Sequence, residues 1–201
     1  MALIVFEGLD RSGKTTQVLH IVDALKRMKI PVAQFCFPKR ENTEVGLKIQ
    51  EFLAGGLALS PKEAYEVFVK QRRDAKSEME LFLKKGTVII VDRFTSSGIA
   101  YGAASCLHYQ YCEAMEQGLL KPDMTIFLDM PLHAIMKRDG FGRERYETLD
   151  YQWTVAQSYR YIQDETWIII DAKKTELQVS LEVECHVFRL LTKMKLLQSI
   201  V

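Results

Sequence analysis

The sequence lacks features that mark several classes of protein. No uninterrupted apolar run approaches the roughly 18 residues that a membrane-spanning helix needs. The apolar N-terminus is broken at Glu7, with no basic segment before it and no small-residue cleavage site after it, so we predict no signal peptide. The net charge of +1 provides no overall basic field for phosphate backbones. We therefore expect neither a membrane nor a nucleic-acid polymer as a partner.

Cysteine is also scarce and without pattern. The four cysteines form no C-x-x-C pair and no metal-ligand spacing with the histidines. This favours free thiols in a reducing compartment, so we expect a cytoplasmic protein, with the nucleus as the alternative. The 201 residues have the apolar and charged balance of a globular protein and contain no linker-like tract. We predict one domain over residues 1–201.

Short apolar runs alternate with longer helical patterns. The runs lie at Leu3–Phe6, Val32–Phe37, Val88–Val91, Met124–Leu128 and Trp167–Ile170. They lack polar alternation, as expected of parallel strands buried on both faces. Helices are predicted at about Lys14–Met28, Val45–Leu53, Pro61–Leu83, Ser97–Glu116, Leu132–Arg138, Thr148–Gln163 and from Thr175 towards the C-terminus. We predict an α/β fold, a P-loop-type parallel sheet of about five strands with helices on both faces.

The segment Gly8–Thr15 matches the phosphate-binding pattern G-x-x-x-x-G-K-[ST]. An apolar strand precedes it and an amphipathic helix follows, as a P-loop requires. Backbone amides of such a loop point at phosphate oxygens, Lys14 reaches the β- and γ-phosphates, and the Thr15 hydroxyl is an Mg²⁺ ligand. We expect ATP to contact Gly8, Leu9, Asp10, Arg11, Ser12, Gly13, Lys14, Thr15 and Thr16.

Two charged residues inside the loop carry further information. Arg11 would lie beside the transferring phosphoryl group and stabilise its developing charge, unless it is a solvated surface cation. Asp10 is unfavourable beside phosphates unless it faces elsewhere, and a ribose hydroxyl of the acceptor is a plausible partner. Lys137–Arg145 has four cations and two glycines, and we interpret residues 137–148 as a lid.

An acid and a cation end the third apolar run. At the carboxyl end of a parallel strand Asp92 would lie in the ligand-binding crevice, where it would hold hydrated Mg²⁺. Arg93 would bind a phosphate, or else form a structural ion pair. We count both among the candidate catalytic residues, together with Arg11 and Lys14.

Other residues suggest a pocket for the acceptor. Phe37 and Arg40 follow the second strand, at the same edge of the predicted sheet as the P-loop. Arg72 lies one helical turn after Phe68 on an apolar stripe, so the two would stack on a nucleobase and bind its edge, although core packing also explains Phe68. The small residues from Gly98 onward permit close approach of a ligand or a helix, and Tyr101 could bound a sugar.

Together these segments resemble the thymidylate kinase family, and the P-loop arginine resembles its eukaryotic and poxviral branch. The matching segments are Phe6–Gln17, Phe37–Gly46, Val91–Tyr101, Gly118–Leu128 and Phe141–Glu147. The resemblance implies phosphoryl transfer from MgATP to dTMP, with dUMP or other deoxynucleoside monophosphates as further acceptors. It also implies a homodimer and a nucleoside monophosphate kinase architecture.

The resemblance assigns roles to individual residues. Asp10 would meet the deoxyribose 3′-hydroxyl, Arg40 and Arg93 the dTMP phosphate, Phe68 and Arg72 the thymine. Tyr101 would crowd the 2′ position and favour deoxyribose, and Ser97 and Gly98 would line the base pocket. Arg138 would pack on the ATP adenine, and Tyr146 would close over dTMP. Phe94, Arg73 and Arg143 depart from the common family pattern and could alter base selection or phosphate affinity.

Two other functions remain open at this point. A nucleotide-dependent switch also uses a P-loop, but the sequence contains no Asn/Thr-Lys-x-Asp run for guanine. A deoxynucleoside kinase or another monophosphate kinase would share the donor side. Paired phosphate-binding arginines favour an acceptor that already has a phosphate.

Overall fold

The computed structural model describes residues 1–40 and 43–196, and all five of the strands found there belong to one parallel sheet. They are β1 (Ala2–Glu7), β2 (Val32–Cys36), β3 (Val88–Asp92), β4 (Met124–Asp129) and β5 (Trp167–Asp171), in the order β2-β3-β1-β4-β5. The predicted sheet is confirmed. Glu41 and Asn42 of the quoted Phe37–Gly46 segment, and residues 197–201, lie outside the described residues.

Helices connect the strands. They are α1 (Lys14–Arg27), α2 (Glu44–Leu53), α3 (Pro61–Lys84), α4 (Thr95–Ala104), α5 (Tyr109–Glu116), α6 (Leu132–Ile135), α7 (Leu149–Ile162) and α8 (Glu176–Lys193). Capping boxes at Ser60 and Thr175 fix where α3 and α8 begin. Of the described helices, none is both long and apolar enough to cross a bilayer.

The single helix predicted over Ser97–Glu116 is wrong. The chain forms α4 and α5, separated by a turn in which Cys106 has a left-handed backbone (φ 64°). The amide of Leu107 donates to the Gly102 carbonyl at 3.1 Å, which closes the C-terminal turn of α4. Helical periodicity continues across this turn in the sequence, so the pattern alone did not reveal it. The helix predicted over Leu132–Arg138 is also shorter and ends at Ile135.

Apolar side chains cover both faces of the sheet. Ile4 and Phe6 of β1 belong to a cluster with α1, α7 and α8, whereas Leu3 and Val5 face the opposite cluster, which includes Met79 of α3. Alternate residues of one strand thus reach different helical layers, as the period of a strand requires. A smaller cluster lies between α2 and α3, and the partly buried Phe68 and Tyr146 pack against it.

Candidate active site

The P-loop joins β1 to α1 at the carboxyl edge of the sheet. A Cβ at Gly8 (φ 143°) would lie 2.8 Å from both the Leu128 carbonyl oxygen and Ser12 Oγ, so only glycine fits. Lys14 folds back over the loop, and its Nζ donates to the Leu9 carbonyl at 2.6 Å. Burial, with the nearby Arg93 guanidinium, lowers the pKa of Lys14 to about 7. A bound phosphate would place a negative charge beside the Lys14 side chain and so favour its protonated form.

Two oxygen ligands meet beside the loop. Thr15 Oγ1 donates to Asp92 Oδ2 at 2.5 Å, which joins the start of α1 to the end of β3. A hydroxyl and a carboxylate are hard oxygen donors that suit Mg²⁺, which keeps several of its own waters. The residues present therefore fit the predicted cation. The described residues contain no cluster of three or more His, Cys, Asp or Glu side chains suited to a metal.

Asp10 faces away from the P-loop and joins a polar cluster. Its carboxylate pairs with Arg93 at 2.6 Å and accepts hydrogen bonds from Tyr101 Oη at 2.8 Å and Gln152 Nε2 at 2.7 Å. Burial works against this charge, but Arg93 and Lys14 outweigh it and hold the pKa of Asp10 below its usual value. The ion pair considered for Arg93 is thus present, with Asp10 as its partner.

A buried carboxylate behind Arg93 fixes the start of α4. Glu7 accepts from the amides of Phe94 and Ser97, at 2.9 and 3.1 Å, and from the Tyr159 hydroxyl. These bonds replace an ordinary N-cap, because Phe94 has no side-chain acceptor. Arg93 itself has a left-handed backbone (φ 64°), which directs its guanidinium towards Gly8 and Asp10.

One cavity brings together all ten residues predicted to bind the acceptor: Asp10, Phe37, Arg40, Phe68, Arg72, Arg93, Ser97, Gly98, Tyr101 and Tyr146. Tyr65, Ser105 and Glu144 also line it. Arg93, Asp10 and Arg40 form what we call the phosphate end, nearest the P-loop. Phe68, Arg72 and Gly98 form the base end.

Arg72 at the base end is ion-paired. Its Nε donates to Glu116 Oε2 at 3.0 Å, its Nη2 donates to Glu116 Oε1, and both side chains are 4% exposed. Tyr65 donates to the same carboxylate at 3.1 Å. The partner that a cation on an apolar stripe requires is therefore a carboxylate of the protein.

The predicted lid segment lies over the phosphate end. Glu144 binds Arg40 through two hydrogen bonds of 2.6 and 2.7 Å, and Glu147 pairs with Arg11 at 2.8 Å. Arg138, predicted to contact adenine, donates to the Arg11 carbonyl at 2.6 Å and is exposed beside the P-loop. The three arginines predicted to meet a phosphate, Arg11, Arg40 and Arg93, are thus each paired with a carboxylate.

Comparison with known proteins agrees with this geometry. Residues 6–183 match the family model described as thymidylate kinase. A thymidylate kinase of Arabidopsis thaliana is 39% identical over 91% of this chain and 69% of its own length. The human thymidylate kinase is 32% identical over 87% of this chain and 84% of its own. The chain belongs to the thymidylate kinase family.

A solved structure of the family extends the agreement to the fold. The thymidylate kinase of Candida albicans, described as having broad substrate specificity, superposes with a TM-score of 0.81 at 32% identity. The superposition covers 97% of this chain and 92% of that one. The family and the fold predicted from the sequence are both confirmed.

Several residues of this thymidylate kinase family site were missed by sequence reasoning: Glu7, Glu116, Glu144, Glu147 and Gln152. Glu7 gave a usable signal in the sequence, since it is an acid at the end of an otherwise apolar run. The structure places it fully buried. Glu144 and Glu147 lie in the lid motif, where their charge is opposite to that of the phosphate-binding arginines. Glu116 and Gln152 gave no signal, because their partners are distant in sequence.

Proposed function

We propose that this protein transfers the γ-phosphoryl group of ATP to dTMP, giving dTDP and ADP for dTTP synthesis. The observation that supports this most strongly is the single cavity beside the P-loop that contains all ten acceptor-site residues. It has arginines at one end and an aromatic ring at the other, as a nucleoside monophosphate requires. Catalysis of such transfer rests on positioning and charge stabilisation.

On the donor side, the P-loop residues Gly8–Thr16 hold the ATP phosphates. Lys14 bridges the β- and γ-phosphates, and Arg138 packs on the adenine. Thr15 and Asp92 would hold Mg²⁺, which neutralises charge on the phosphates when bound. Arg11 stabilises the transferring group once the phosphate displaces Glu147 from its guanidinium.

On the acceptor side, Arg40 and Arg93 bind the dTMP phosphate. Asp10 exchanges part of its present hydrogen bonding for the deoxyribose 3′-hydroxyl, and the Tyr101 ring crowds the 2′ position, which favours deoxyribose. Phe68 stacks on thymine, which Ser97, Gly98 and Phe37 enclose, and Arg72 donates to its edge. The catalytic residues are Arg11, Lys14, Asp92 and Arg93.

The chain acts as one domain with residues 137–148 as its lid. Closure over both phosphates brings Tyr146 against dTMP and excludes water, so ATP hydrolysis without an acceptor is suppressed. The ion pairs of Glu144 and Glu147 connect this segment to the acceptor cavity and to the P-loop.

The protein is proposed to be a cytoplasmic homodimer. Its four free cysteines support a reducing compartment. Leu47 on α2 and Leu81 on α3 are half exposed, which gives these helices apolar surface for a helix-on-helix contact. Analytical ultracentrifugation would give the mass of a single chain if this assembly is wrong.

The deciding experiment is ADP release with MgATP across dTMP, dUMP, dGMP, dCMP, UMP and thymidine. Strong turnover with dTMP, weaker turnover with dUMP and none with thymidine is expected. Turnover with thymidine would indicate a nucleoside kinase, and no turnover with any acceptor would indicate that the cavity has another ligand. Omitting Mg²⁺ is expected to abolish turnover.

A further inference from the structure

The Arg72–Glu116 pair is packed directly against the backbone of α4. A Cβ on Gly98 would overlap both Glu116 Oε1 and Arg72 Nη2. One turn later, a Cβ on Gly102 would lie 2.8 Å from the Tyr65 ring. Both glycines therefore let side chains from α3 and α5 reach the same helix surface. The pair cannot shift towards α4, so its orientation is fixed.

This pairing determines which part of Arg72 reaches the cavity. A guanidinium has five N–H groups; two of those on Arg72 bind Glu116, and the remaining three bind no group among residues 1–40 and 43–196. Arg72 lines the cavity, while Glu116 lies behind it and is 6% exposed. The free edge that faces a ligand consequently donates hydrogen bonds and cannot accept them.

Glu116 has little capacity left for a ligand of its own. Oε1 accepts from Arg72 and from the Tyr65 hydroxyl, and Oε2 accepts from Arg72 Nε. Arginine stays protonated at every physiological pH, so its edge cannot change into an acceptor. An amino group placed against it would leave two donors facing each other in a buried site, which is unfavourable.

We infer that Glu116 is a specificity-determining positioning residue, which acts by holding Arg72 so that only a base with a keto oxygen at this edge is accepted. Uracil and thymine present such an oxygen at C4, whereas cytosine presents an amino group there. This inference rests on the proposed function, because it requires that the nucleobase contacts Arg72. It assigns the selection to a residue that does not itself touch the base.

The test uses dUMP and dCMP, which differ at C4 and in the protonation of N3 but have the same size. In the wild type, kcat/KM for dUMP is expected to exceed that for dCMP by about 10² or more, since a site built on hydrogen bonds rejects a mismatched group strongly. In Glu116→Gln one amide oxygen replaces the carboxylate and the amide N–H₂ opposes Arg72. The dUMP-to-dCMP ratio should then fall about tenfold or more, as expected when a charged hydrogen bond is released.

Tyr65→Phe is the matched control, because it removes a donor from the same carboxylate but leaves both bonds to Arg72. Its ratio should stay within about twofold of the wild type. Glu116→Asp, which keeps the charge, should recover part of the selectivity and serves if Glu116→Gln does not fold. Thermal unfolding of each variant with and without dTMP separates loss of folding from loss of selection.

A wild type that uses dCMP as well as dUMP would overturn the inference. So would an unchanged ratio in both Glu116 variants, or an equal loss with both acceptors, which indicates a purely structural role. Failure of the proposed function is distinguishable, because it appears as absent turnover of dTMP by the wild type. If dTMP is used and Arg72→Lys changes the ratio while Glu116→Gln does not, only the role of Glu116 is wrong.

Discussion

Arg40 and Arg72, at opposite ends of the acceptor cavity, are held by carboxylates in different ways. At the phosphate end, the Arg40 and Glu144 side chains are 44% and 31% exposed. At the base end, the Arg72 and Glu116 side chains are each 4% exposed and bind through two hydrogen bonds. An exposed pair contributes little to stability and is readily exchanged for another anion. Removing one partner of a buried pair is strongly destabilising, because the other charge is left uncompensated.

The comparison separates an exposed pair, which a ligand could replace, from a buried pair, which fixes the shape of the site. If Arg40 binds the dTMP phosphate as proposed, that phosphate would compete with Glu144 for the same donors. The carboxylate at the base end stays in place and sets which groups can bind. Substitutions at the phosphate end should therefore affect turnover, and substitutions at the base end should affect folding and selectivity.

The largest effect is expected from Arg11→Ala, which tests whether the P-loop arginine acts in catalysis. Loss of a guanidinium beside the transferring phosphoryl group should lower kcat by about 10³ or more, with little change in the unfolding midpoint. Steady-state kinetics and urea denaturation measure the two quantities. Arg27→Ala, which removes an exposed pair with Asp23, is the control. A near-normal kcat would transfer this role to the lid arginines.

The next effect concerns stability. Arg72→Met leaves Glu116 buried without its partner and should lower the free energy of unfolding by about 3–5 kcal/mol. Arg40→Met removes the exposed counterpart and should lower it by at most about 1 kcal/mol. Urea unfolding of both variants gives the difference. Equal losses would show that burial does not separate the two ends as we describe.

A smaller loss is expected from Gly98→Ala. The added Cβ overlaps the Arg72–Glu116 pair, and this overpacking should cost about 1–3 kcal/mol and raise KM for dTMP. Gly56→Ala is the control, because its nearest neighbour would be the flexible side chain of Glu51 at 3.3 Å. Unchanged stability and KM in Gly98→Ala would mean that the pair can move away from α4.

The smallest effect should follow Glu144→Gln. Glu144 would compete with the dTMP phosphate for Arg40. Without this carboxylate, KM for dTMP should fall about two- to fivefold, which corresponds to the free energy of one exposed ion pair. The control is Glu80→Gln, which alters an exposed pair on α3. An increase in KM would instead show that Glu144 orients Arg40 for the phosphate.

Local patterns were enough to predict the strands, the P-loop and the residues at the strand ends. Asp10, Asp92 and Arg93 converge because parallel strands end at one edge, which follows from the fold alone. Glu116 meets Arg72 from 44 positions away, and Glu147 meets Arg11 from 136 away. These contacts depend on how α5 packs and where the lid rests, which helical and strand periods do not specify.

Arg11 and Arg93 both have left-handed backbones, with φ of 60° and 64°. Glycine would relieve this conformation, but it would remove the guanidinium. At both positions glycine would also leave a carboxylate without its partner, Glu147 at Arg11 and Asp10 at Arg93. The chain therefore bears a backbone cost at these two positions in order to keep a guanidinium in the P-loop and another beside Asp10.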